Sequence, residues 1–279
     1  MQLSTTIKDL QKALSKERSA GKSIGFVPTM GALHQGHLEL VKRSVLENDV
    51  SVVSIFVNPT QFNDVNDLLK YPRTLEADCD LLRSVDCTYV FAPEPDEIYP
   101  EPDTRSFDFG GLVTGMEGRF RPGHFNGVAQ VVSRLFDIVK PDQAYFGEKD
   151  FQQLVIIRQL VEQMKSDISI IACPVVREQN GLAMSSRNQL LSFAKRNTAS
   201  KVYGIINKSK TLGTSNVKKI NDFVINEVKK LEPITLDYFT IINEATLQPV
   251  ESLDNAKNIV ACVAFTVGGI RLIDMIKFK

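Results

Sequence analysis

The chain has 279 residues, of which 43% are hydrophobic and 24% charged, so it can bury a full core in one large domain or two smaller ones. Its 33 basic residues balance its 33 acidic residues, which leaves no global field to attract nucleic acid or an anionic membrane, and we expect neither partner. The N-terminal segment lacks the apolar core of a signal peptide, and no apolar run approaches the ~20 residues of a membrane span, so we expect a cytoplasmic protein.

Strand-like and helical segments alternate through the first part of the chain. The predicted strands are 23–27, 50–57, 88–91, 144–146 and 168–175. Helical spacing begins at about residue 37, covers 75–84 and begins again at about residue 127. This alternation is typical of a parallel sheet wrapped by crossover helices. We therefore predict an α/β fold in which residues 1–175 form a Rossmann-like, doubly wound parallel sheet that binds ligands at the carboxyl ends of its strands.

The last part of the chain has a different pattern. A polar turn at 178–181 follows the last predicted strand, and residues 191–230 contain nine Lys or Arg but only two Asp or Glu. We interpret this basic stretch as two solvated helices, followed by strands at 235–242 and 259–267 joined by a helix or loop. The simplest account is a smaller C-terminal α+β lid domain over residues 176–279. With no Pro-rich linker between them, we expect the two domains to share an interface and to move as a hinge.

The turn from Pro28 to His37 lies between the first of these strands and a helix, and it contains two of the three histidines of the chain. A helix N-terminus presents free N–H groups and a positive dipole end to an anion. Gly36 would let backbone approach a ligand closely, and the imidazoles of His34 and His37 add donors for charge on a phosphoryl group. The turn therefore predicts a nucleotide phosphate site.

Two other interpretations of these histidines stay open at this point. A histidine in a soluble chain is commonly a surface or satisfied core residue. Zinc binding would require a third and a fourth ligand of matching spacing, whereas the four cysteines, at 79, 87, 173 and 262, form no Cys-x-x-Cys. We expect these cysteines to be free thiols of a reducing compartment.

Six segments carry a resemblance to a known family. They are VPTMGALHQGH at 27–37, SIFVNPTQF at 54–62, YPRT at 71–74, EGRFRPGHF at 117–125, FGEKDFQQL at 146–154 and GLAMSSRN at 181–188. In these motifs the chain resembles the pantothenate synthetases, ligases that join (R)-pantoate to β-alanine through a pantoyl-adenylate. Beyond about residue 190 the resemblance adds little to the interpretation from pattern. It implies an adenylate-forming fold of nucleotidyltransferase type, ATP as co-substrate, a homodimer and a place in vitamin B5 and coenzyme A synthesis.

The resemblance also assigns roles to residues that bind the nucleotide. His34, His37, Lys149 and Arg187 match positions that act on the phosphates, with His37 as a proton donor. Val176 matches a position whose backbone contacts adenine, and the motif 184–187 resembles a mobile phosphate-clamping loop. The full ATP set it implies is Met30, Gly31, Ala32, Leu33, His34, Gln35, Gly36, His37, Gly147, Glu148, Lys149, Asp150, Val176, Met184, Ser185, Ser186 and Arg187. Without the resemblance, Met30 and Val176 would pass as core residues and Ser185 or Ser186 as a helix N-cap.

For the other ligands, the resemblance implies that the amides of Gln61 and Gln153 bind pantoate, with Gln61 also close to β-alanine. Arg121 matches an arginine near the reacting groups. For His124 we weigh such a role equally against loop packing. ATP chemistry implies Mg²⁺, which takes one or two carboxylates besides phosphate oxygens. Asp78 is our candidate to support the metal and Asp150 a second one.

Two other functions remain possible from the residues. A nucleotidyltransferase would use the same histidine turn but release a dinucleotide, and it would have no need of an amine acceptor or of the two glutamines. A non-catalytic nucleotide-binding regulator would keep the turn while tolerating loss of His37, Lys149 or Arg187, all of which are present. The cysteines and serines have no base nearby in sequence, so we expect catalysis by positioning and electrostatics rather than a covalent enzyme intermediate.

Overall fold

The apolar segments of the chain form two sheets in the computed structural model, which describes residues 1–62, 65–254 and 257–278. The strands are β1 (Gln2–Ser4), β2 (Ile24–Thr29), β3 (Val50–Ile55), β4 (Tyr89–Phe91), β5 (Gln143–Gly147), β6 (Ser169–Cys173), β7 (Ile234–Asn243), β8 (Ile259–Val267) and β9 (Ile270–Lys277). The helices are α1 (Ile7–Ser19), α2 (Gln35–Glu47), α3 (Val65–Lys70), α4 (Leu75–Arg83), α5 (Pro95–Ile98), α6 (Met116–Phe120), α7 (His124–Val139), α8 (Phe151–Gln163), α9 (Phe193–Ser209) and α10 (Val217–Val228).

The first six strands form one parallel sheet in the order β1-β4-β3-β2-β5-β6. Along β2, alternate side chains enter two different cores. Phe26 packs with residues of α1, α7 and α8 on one face, whereas Val27 packs with residues of α2 and α4 on the other. The sheet is therefore covered on both faces, and the predicted doubly wound parallel fold is confirmed.

The basic stretch forms α9 and α10, as predicted, and both helices are amphipathic. Val202 and Ile206 of α9 and Ile220 and Val224 of α10 are buried against the antiparallel sheet β7-β8-β9. Seven of the nine basic residues are exposed: Lys201, Lys208, Lys210, Lys218, Lys219, Lys229 and Lys230. The predicted α+β character of this part is confirmed, and the described residues between β7 and β8 form no helix.

Sequence patterns did not predict α1, β1 or β9. The strand β1 has only three residues, too few for alternation to show, and it pairs with β4 at the edge of the parallel sheet. The strand β9 follows β8 after a two-residue turn, Gly268 and Gly269, and runs back along it. No helix in the described ranges is both long and apolar enough to cross a lipid bilayer.

Apolar side chains join the two sheets. Phe151 and Val155 at the start of α8 pack with Ile242, Val260 and Met275 of the three-stranded sheet. This contact places the three-stranded sheet beside the carboxyl ends of β5 and β6, which is the edge where a doubly wound sheet holds its ligands.

Candidate active site

A cleft opens where β2 and β5 part. The chain leaves β2 toward β3 and β4 on one side and returns to β5 on the other, so the turns after these two strands face each other across a topological switch point. The cleft has a volume of about 250 Å³. Of the residues that the sequence assigned to ligands, those that line it are Met30, His34, Gly36, His37, Gln61, Gly147, Lys149, Asp150, Gln153, Val176, Met184, Ser185, Ser186 and Arg187.

The other assigned residues lie behind this lining or next to it. Arg121 and His124 line an adjoining cavity of about 30 Å³, to which Lys149, Asp150 and Gln153 also contribute. The remaining residues of the assigned set, none of which lines the main cleft, are Gly31, Ala32, Leu33, Gln35, Asp78 and Glu148.

The two histidine rings cap the N-terminus of α2. His34 is the N-cap residue, and its Nδ1 accepts a hydrogen bond from the backbone N–H of Gly36 at 3.1 Å. The Nδ1 of His37 accepts from the backbone N–H of His34 at 3.3 Å, which completes a capping box built from two imidazoles. The ring of His34 lies so close to Gly36 that a Cβ on Gly36 would sit 2.8 Å from its Cε1 atom, so this position requires glycine.

These hydrogen bonds fix the protonation of both rings. Because each Nδ1 accepts, the proton of the neutral ring is on Nε2, which is then a donor. Burial lowers the pKa of His34 to about 4, and the positive charge of Lys149 adds to the effect. Burial likewise holds the pKa of His37 well below its usual value, with His34 and Lys149 as further causes. The cleft therefore contains two neutral N–H donors beside a helix N-terminus, an arrangement that suits an anion.

The turn before α2 is held from behind by Asp78 of α4. Its Oδ2 accepts from the backbone N–H of Ala32 at 3.0 Å and its Oδ1 from that of Leu33 at 2.7 Å. The hydroxyl of Thr74 also donates to Oδ2, and Asp78 is 1% exposed. Both oxygens of Asp78 are thus engaged by the protein, so the geometry gives this carboxylate the task of shaping the turn and leaves the carboxylate of Asp150 as the better-placed one for a metal.

Gln61 is held through its backbone by the segment that carries Arg121 and His124. The Nδ1 of His124 bonds to the carbonyl oxygen of Gln61 at 2.9 Å, and Arg121 donates to the same oxygen at 3.4 Å. Burial lowers the pKa of His124 to about 4, so this ring is neutral and its Nδ1 carries the proton. The side-chain amide of Gln61 donates to the sulfur of Met30 and accepts from Asn58 at 3.3 Å.

Lys149 follows β5 and places a positive charge in the cleft. Its ammonium lies 3.6 Å from the carboxylate of Asp150 and 3.5 Å from the carbonyl oxygen of Met184. The adjacent Glu148 is buried and paired with Lys277 of β9. Gln153, on the first turns of α8, lines the cleft, and its amide has no hydrogen-bond partner among the described residues.

The segment 184–187 closes the opposite side of the cleft. The hydroxyl of Ser186 donates to the carbonyl oxygen of Ala32 at 3.0 Å. The Oγ of Ser185 caps the short 3₁₀ helix Ser186–Leu190 by accepting from the N–H of Arg187 at 3.3 Å. The hydroxyl of Ser186 therefore ties this segment to the turn before α2, and the N-cap role considered from sequence is confirmed for Ser185.

A metal would have few protein ligands here. Within residues 1–62, 65–254 and 257–278, no group of three or more His, Cys, Asp and Glu side chains could hold an ion. Asp150 lines the cleft with a carboxylate that is 45% exposed, which fits a cation whose remaining ligands are phosphate oxygens and water.

Asn58 and Tyr71 line the cleft, although the sequence motifs did not lead us to assign them to a ligand. Asn58 is 1% exposed, lines the cleft, and its amide also donates to the carbonyl oxygen of Gly127 at 3.2 Å. Tyr71 lines the cleft as well. Both lie in motifs quoted above, SIFVNPTQF and YPRT, so their type and position could have placed them in the site.

Comparison with known proteins supplies the family. Residues 2–277 match the sequence profile of the pantoate-beta-alanine ligases. Pantothenate synthetase of Bacteroides fragilis is 55% identical over 280 residues, which cover 100% of this chain and 99% of that protein. Pantothenate synthetase of Porphyromonas gingivalis is 46% identical, with 100% of both chains covered.

Solved structures agree. Pantothenate synthetase from Thermus thermophilus superposes with a TM-score of 0.93 at 39% identity, covering 100% of this chain and 99% of that one. Pantoate-beta-alanine ligase from Francisella tularensis, in complex with beta-gamma ATP and beta-alanine, has a TM-score of 0.83 at 37% identity, with coverages of 100% and 98%.

Proposed function

The chain belongs to the pantoate-beta-alanine ligase family and carries out the ATP-dependent condensation of pantoate with β-alanine to pantothenate, and from this premise we propose how its own residues divide the work. The observation that carries the proposal is the convergence of one helix N-terminus, two neutral imidazole donors and the Lys149 ammonium at the carboxyl ends of β2 and β5. Such a group of donors suits the triphosphate of ATP, and the complex of the Francisella enzyme likewise contains beta-gamma ATP.

ATP lies along the switch point of the parallel sheet. Its phosphates contact the turn from Met30 to His37, where the Nε2–H groups of His34 and His37 stabilise charge that grows on the α-phosphoryl group. Lys149 neutralises the phosphates as a mobile point charge, and Ser185, Ser186 and Arg187 hold pyrophosphate as it leaves. The backbone at Val176 contacts the adenine ring. The remaining residues of the predicted ATP set surround these contacts.

Pantoate lies between the two glutamines. Gln153 offers an amide with no partner among the described residues, and Gln61 is fixed through its backbone by His124 and Arg121. Facing them, α7 contributes a wall of aliphatic side chains that suits the two methyl groups of pantoate; these are Val128, Val131, Val132 and Leu135. The guanidinium of Arg121, in the adjoining cavity, is available for the carboxylate of β-alanine.

The reaction has two steps. A carboxylate oxygen of pantoate attacks the α-phosphorus of ATP, the bond from that phosphorus to the bridging oxygen of the β-phosphate breaks, and pantoyl-adenylate and pyrophosphate form. The free amine of β-alanine then attacks the acyl carbon, the acyl–phosphate bond breaks, and the nitrogen loses a proton as AMP leaves. Neither step requires a nucleophile from the protein, which fits a cleft made of donors, cations and amides.

Mg²⁺ accompanies the nucleotide in this scheme. Asp150 would be the carboxylate from the protein that holds it, beside phosphate oxygens, and the ion would neutralise charge on the phosphates. Asp78 acts through the turn that it supports.

The larger organisation is also a proposal. We assign residues 1–175 to the domain that binds ATP and pantoate and residues 176–279 to a lid domain that closes over the adenylate and keeps water away from it. The protein forms a homodimer and acts in the cytoplasm.

A direct assay tests the two-step scheme. The purified chain is incubated with Mg-ATP and pantoate, with and without β-alanine, and pyrophosphate, AMP, adenylate and pantothenate are followed by mass spectrometry. We expect pyrophosphate and bound pantoyl-adenylate without the amine, and pantothenate and AMP once β-alanine is added. Absence of pyrophosphate under both conditions would contradict the scheme.

A further inference from the structure

The strand β9 belongs to the C-terminal sheet, yet three of its charged side chains pair with three separate segments of the cleft. Arg271 pairs with Glu117, Asp274 with Arg177, and Lys277 with Glu148. None of these three β9 residues lines the main cleft. Each pair joins β9 to a segment to which we assign a ligand, so the strand can set the positions of all three segments at once.

Arg271 reaches the segment that supports Gln61. Its two terminal nitrogens bind the carboxylate of Glu117 at 2.6 and 2.8 Å, and its Nε binds Asp237 at 2.7 Å. The hydroxyl of Tyr238 donates to the same Glu117 carboxylate at 2.9 Å. Glu117 lies in α6, directly before the residues that hold the carbonyl oxygen of Gln61, so this pair acts on the proposed pantoate side of the cleft.

Asp274 is connected to the segment 184–187 through Arg177. Its carboxylate is 6% exposed and takes a two-pronged contact from Arg177, at 2.6 and 2.9 Å. The guanidinium also donates to the carbonyl oxygen of Gly181 at 3.2 Å and stacks on the ring of Tyr203 at 3.8 Å. Gly181 has a φ of +90°, and a Cβ there would lie 2.6 Å from Tyr203, so the turn is built tightly around this arginine.

The same turn leads straight into the phosphate segment. Arg177 and Ala183 form an antiparallel bridge, and the N–H of Met184 donates to the carbonyl oxygen of Val176 at 2.9 Å. Met184 in turn accepts from Lys149. The position of Arg177 on Asp274 therefore decides where residues 184–187 stand relative to the proposed triphosphate site.

Lys277 reaches the residue before Lys149. Glu148 is 8% exposed and forms an ion pair with Lys277, whose own side chain is 53% exposed at the end of β9. Removal of this lysine would leave a buried carboxylate uncompensated beside the proposed phosphate cation.

The three contacts are spread along a rigid element. From Arg271 to Lys277 an extended strand covers ~20 Å. Arg271 and Lys277 leave β9 on the side of Met275, which packs against α8, while Asp274 leaves on the opposite side with Leu272 and Ile276. Arg271 and Lys277, at the two ends of this span and without shared partners, act independently of one another, whereas the contacts of Asp274 and Lys277 meet where Lys149 bonds to Met184.

We propose that Arg271, Asp274 and Lys277 are positioning residues of the ligase: Arg271 sets the pantoate-binding Gln61, and Asp274 and Lys277 set the segments that hold the triphosphate. Partly buried, two-pronged ion pairs such as those of Arg271 and Asp274 add little net stability but fix geometry, and a displacement of about 1 Å at a reacting group can cost up to 100-fold in rate. The inference rests on the ligand assignment of the proposed function.

Steady-state kinetics of Arg271→Met, Asp274→Asn and Lys277→Met test it, with KM measured separately for each substrate. We expect Arg271→Met to raise the KM for pantoate about tenfold and leave that for ATP unchanged. Asp274→Asn and Lys277→Met should raise the KM for ATP about tenfold and leave that for pantoate unchanged. Lys218→Met, which breaks an exposed pair with Asp222 on α10, is the matched control and should change neither.

Two further measurements keep the outcomes distinct. Lys277 is half-exposed, so Lys277→Met should fold even if Asp274→Asn does not. Arg177→Lys keeps the positive charge beside Asp274 but loses the two-pronged contact. We expect Arg177→Lys to reproduce the ATP-specific defect. Equal changes for all substrates, or a lowered Tm with unchanged KM values, would overturn the inference. Wild-type protein that forms no pyrophosphate would instead overturn the proposed function.

Discussion

The ring of His37 lies against the ring of His34, with centroids 4.0 Å apart and an interplanar angle of 31°, and its Nδ1 accepts the backbone N–H of His34. The imidazole of His37 thus accepts a backbone hydrogen bond at Nδ1 and presents a donor to the cleft at Nε2. The cap and the proposed donor are separate tasks of one ring, and a substitution can divide them.

We predict that His37→Ala lowers the rate of adenylate formation by ~10²–10³, the typical effect of removing one preorganised donor from a transition state. His37→Asn places a carbonyl oxygen near the former Nδ1, so it should keep the cap and the Tm while losing the reach of Nε2. Pyrophosphate release in a single turnover measures the rate, and thermal unfolding measures the cap. A wild-type rate in His37→Asn would show that the Nε2–H is not needed.

The stability of the fold should depend on pH through its histidines. The pKa of His34 and that of His124 are both lowered to about 4 in the folded protein, chiefly by burial, from 6.5 for the free side chain. Between these values the unfolded chain binds more protons than the folded one, so the free energy of unfolding falls as pH falls through this window and is fully restored above it. From pH 7 to pH 5 each of these histidines should remove about 2 kcal/mol.

Urea titrations at pH 7 and pH 5 check this dependence. His124→Gln keeps a donor for the carbonyl oxygen of Gln61 but has no group that titrates in the window. We therefore expect this variant to lose less stability than the wild type between the two pH values. An identical loss in both proteins would show that the pKa of His124 is not depressed in the fold.

Sequence patterns predicted the elements that carry strong periodicity or apolar runs. The strand at 50–57 and the turn at Pro28–His37 were recognisable because a central parallel strand is rich in Val and Ile on both faces and because a glycine-bearing turn with two histidines is chemically unusual. The strand β9 was not predicted, although the proposed positioning contacts start from it. Buried and partly exposed residues do not alternate regularly along β9. Its charged residues Arg271 and Asp274 are paired with groups distant in sequence, which a local sequence pattern does not indicate.

The task of Asp78 shows the same limit in the site. An acidic residue on the first turn of α4 is an acceptable candidate for Mg²⁺ on local grounds. Only the folded chain brings it under the N–H groups of Ala32 and Leu33, 45 or more residues away in sequence. The sequence placed an acidic residue at this position, but it could not show that the carboxylate of Asp78 accepts hydrogen bonds from the backbone of Ala32 and Leu33.

We predict that Gln153→Ala raises the KM for pantoate by about 10-fold while the KM for ATP stays unchanged, because a substrate hydroxyl left without its partner costs about 1–3 kcal/mol, and about 1.4 kcal/mol corresponds to a tenfold change. Gln159→Ala is the matched control, since this glutamine lies on the same helix and donates to the exposed Glu162. Initial rates at varied pantoate with saturating ATP, and at varied ATP with saturating pantoate, measure the two KM values. A rise in the KM for ATP alone would place the Gln153 amide at the nucleotide.

Asp78 and Asp150 should respond differently to the metal. Asp78→Asn retains one acceptor but turns an amide toward a backbone N–H, which costs about 1–3 kcal/mol of stability and loosens the turn before α2. We therefore expect a lower Tm and a raised KM for ATP, with an unchanged dependence of the rate on Mg²⁺ concentration. Asp150→Asn removes a half-exposed carboxylate whose oxygens are not committed to backbone N–H groups, so its Tm should stay close to that of the wild type.

For Asp150→Asn we expect the Mg²⁺ concentration that gives half-maximal rate to rise, since a carboxylate ligand is replaced by a neutral amide oxygen. The measurement is a titration of MgCl₂ at fixed, saturating ATP after removal of metal with EDTA. Because ATP itself carries most of the ligands, the shift should be severalfold rather than complete loss. A shift in Asp78→Asn but not in Asp150→Asn would reverse the two assignments: the turn would then be shaped without Asp78, and the metal would lie on the α4 side of the cleft.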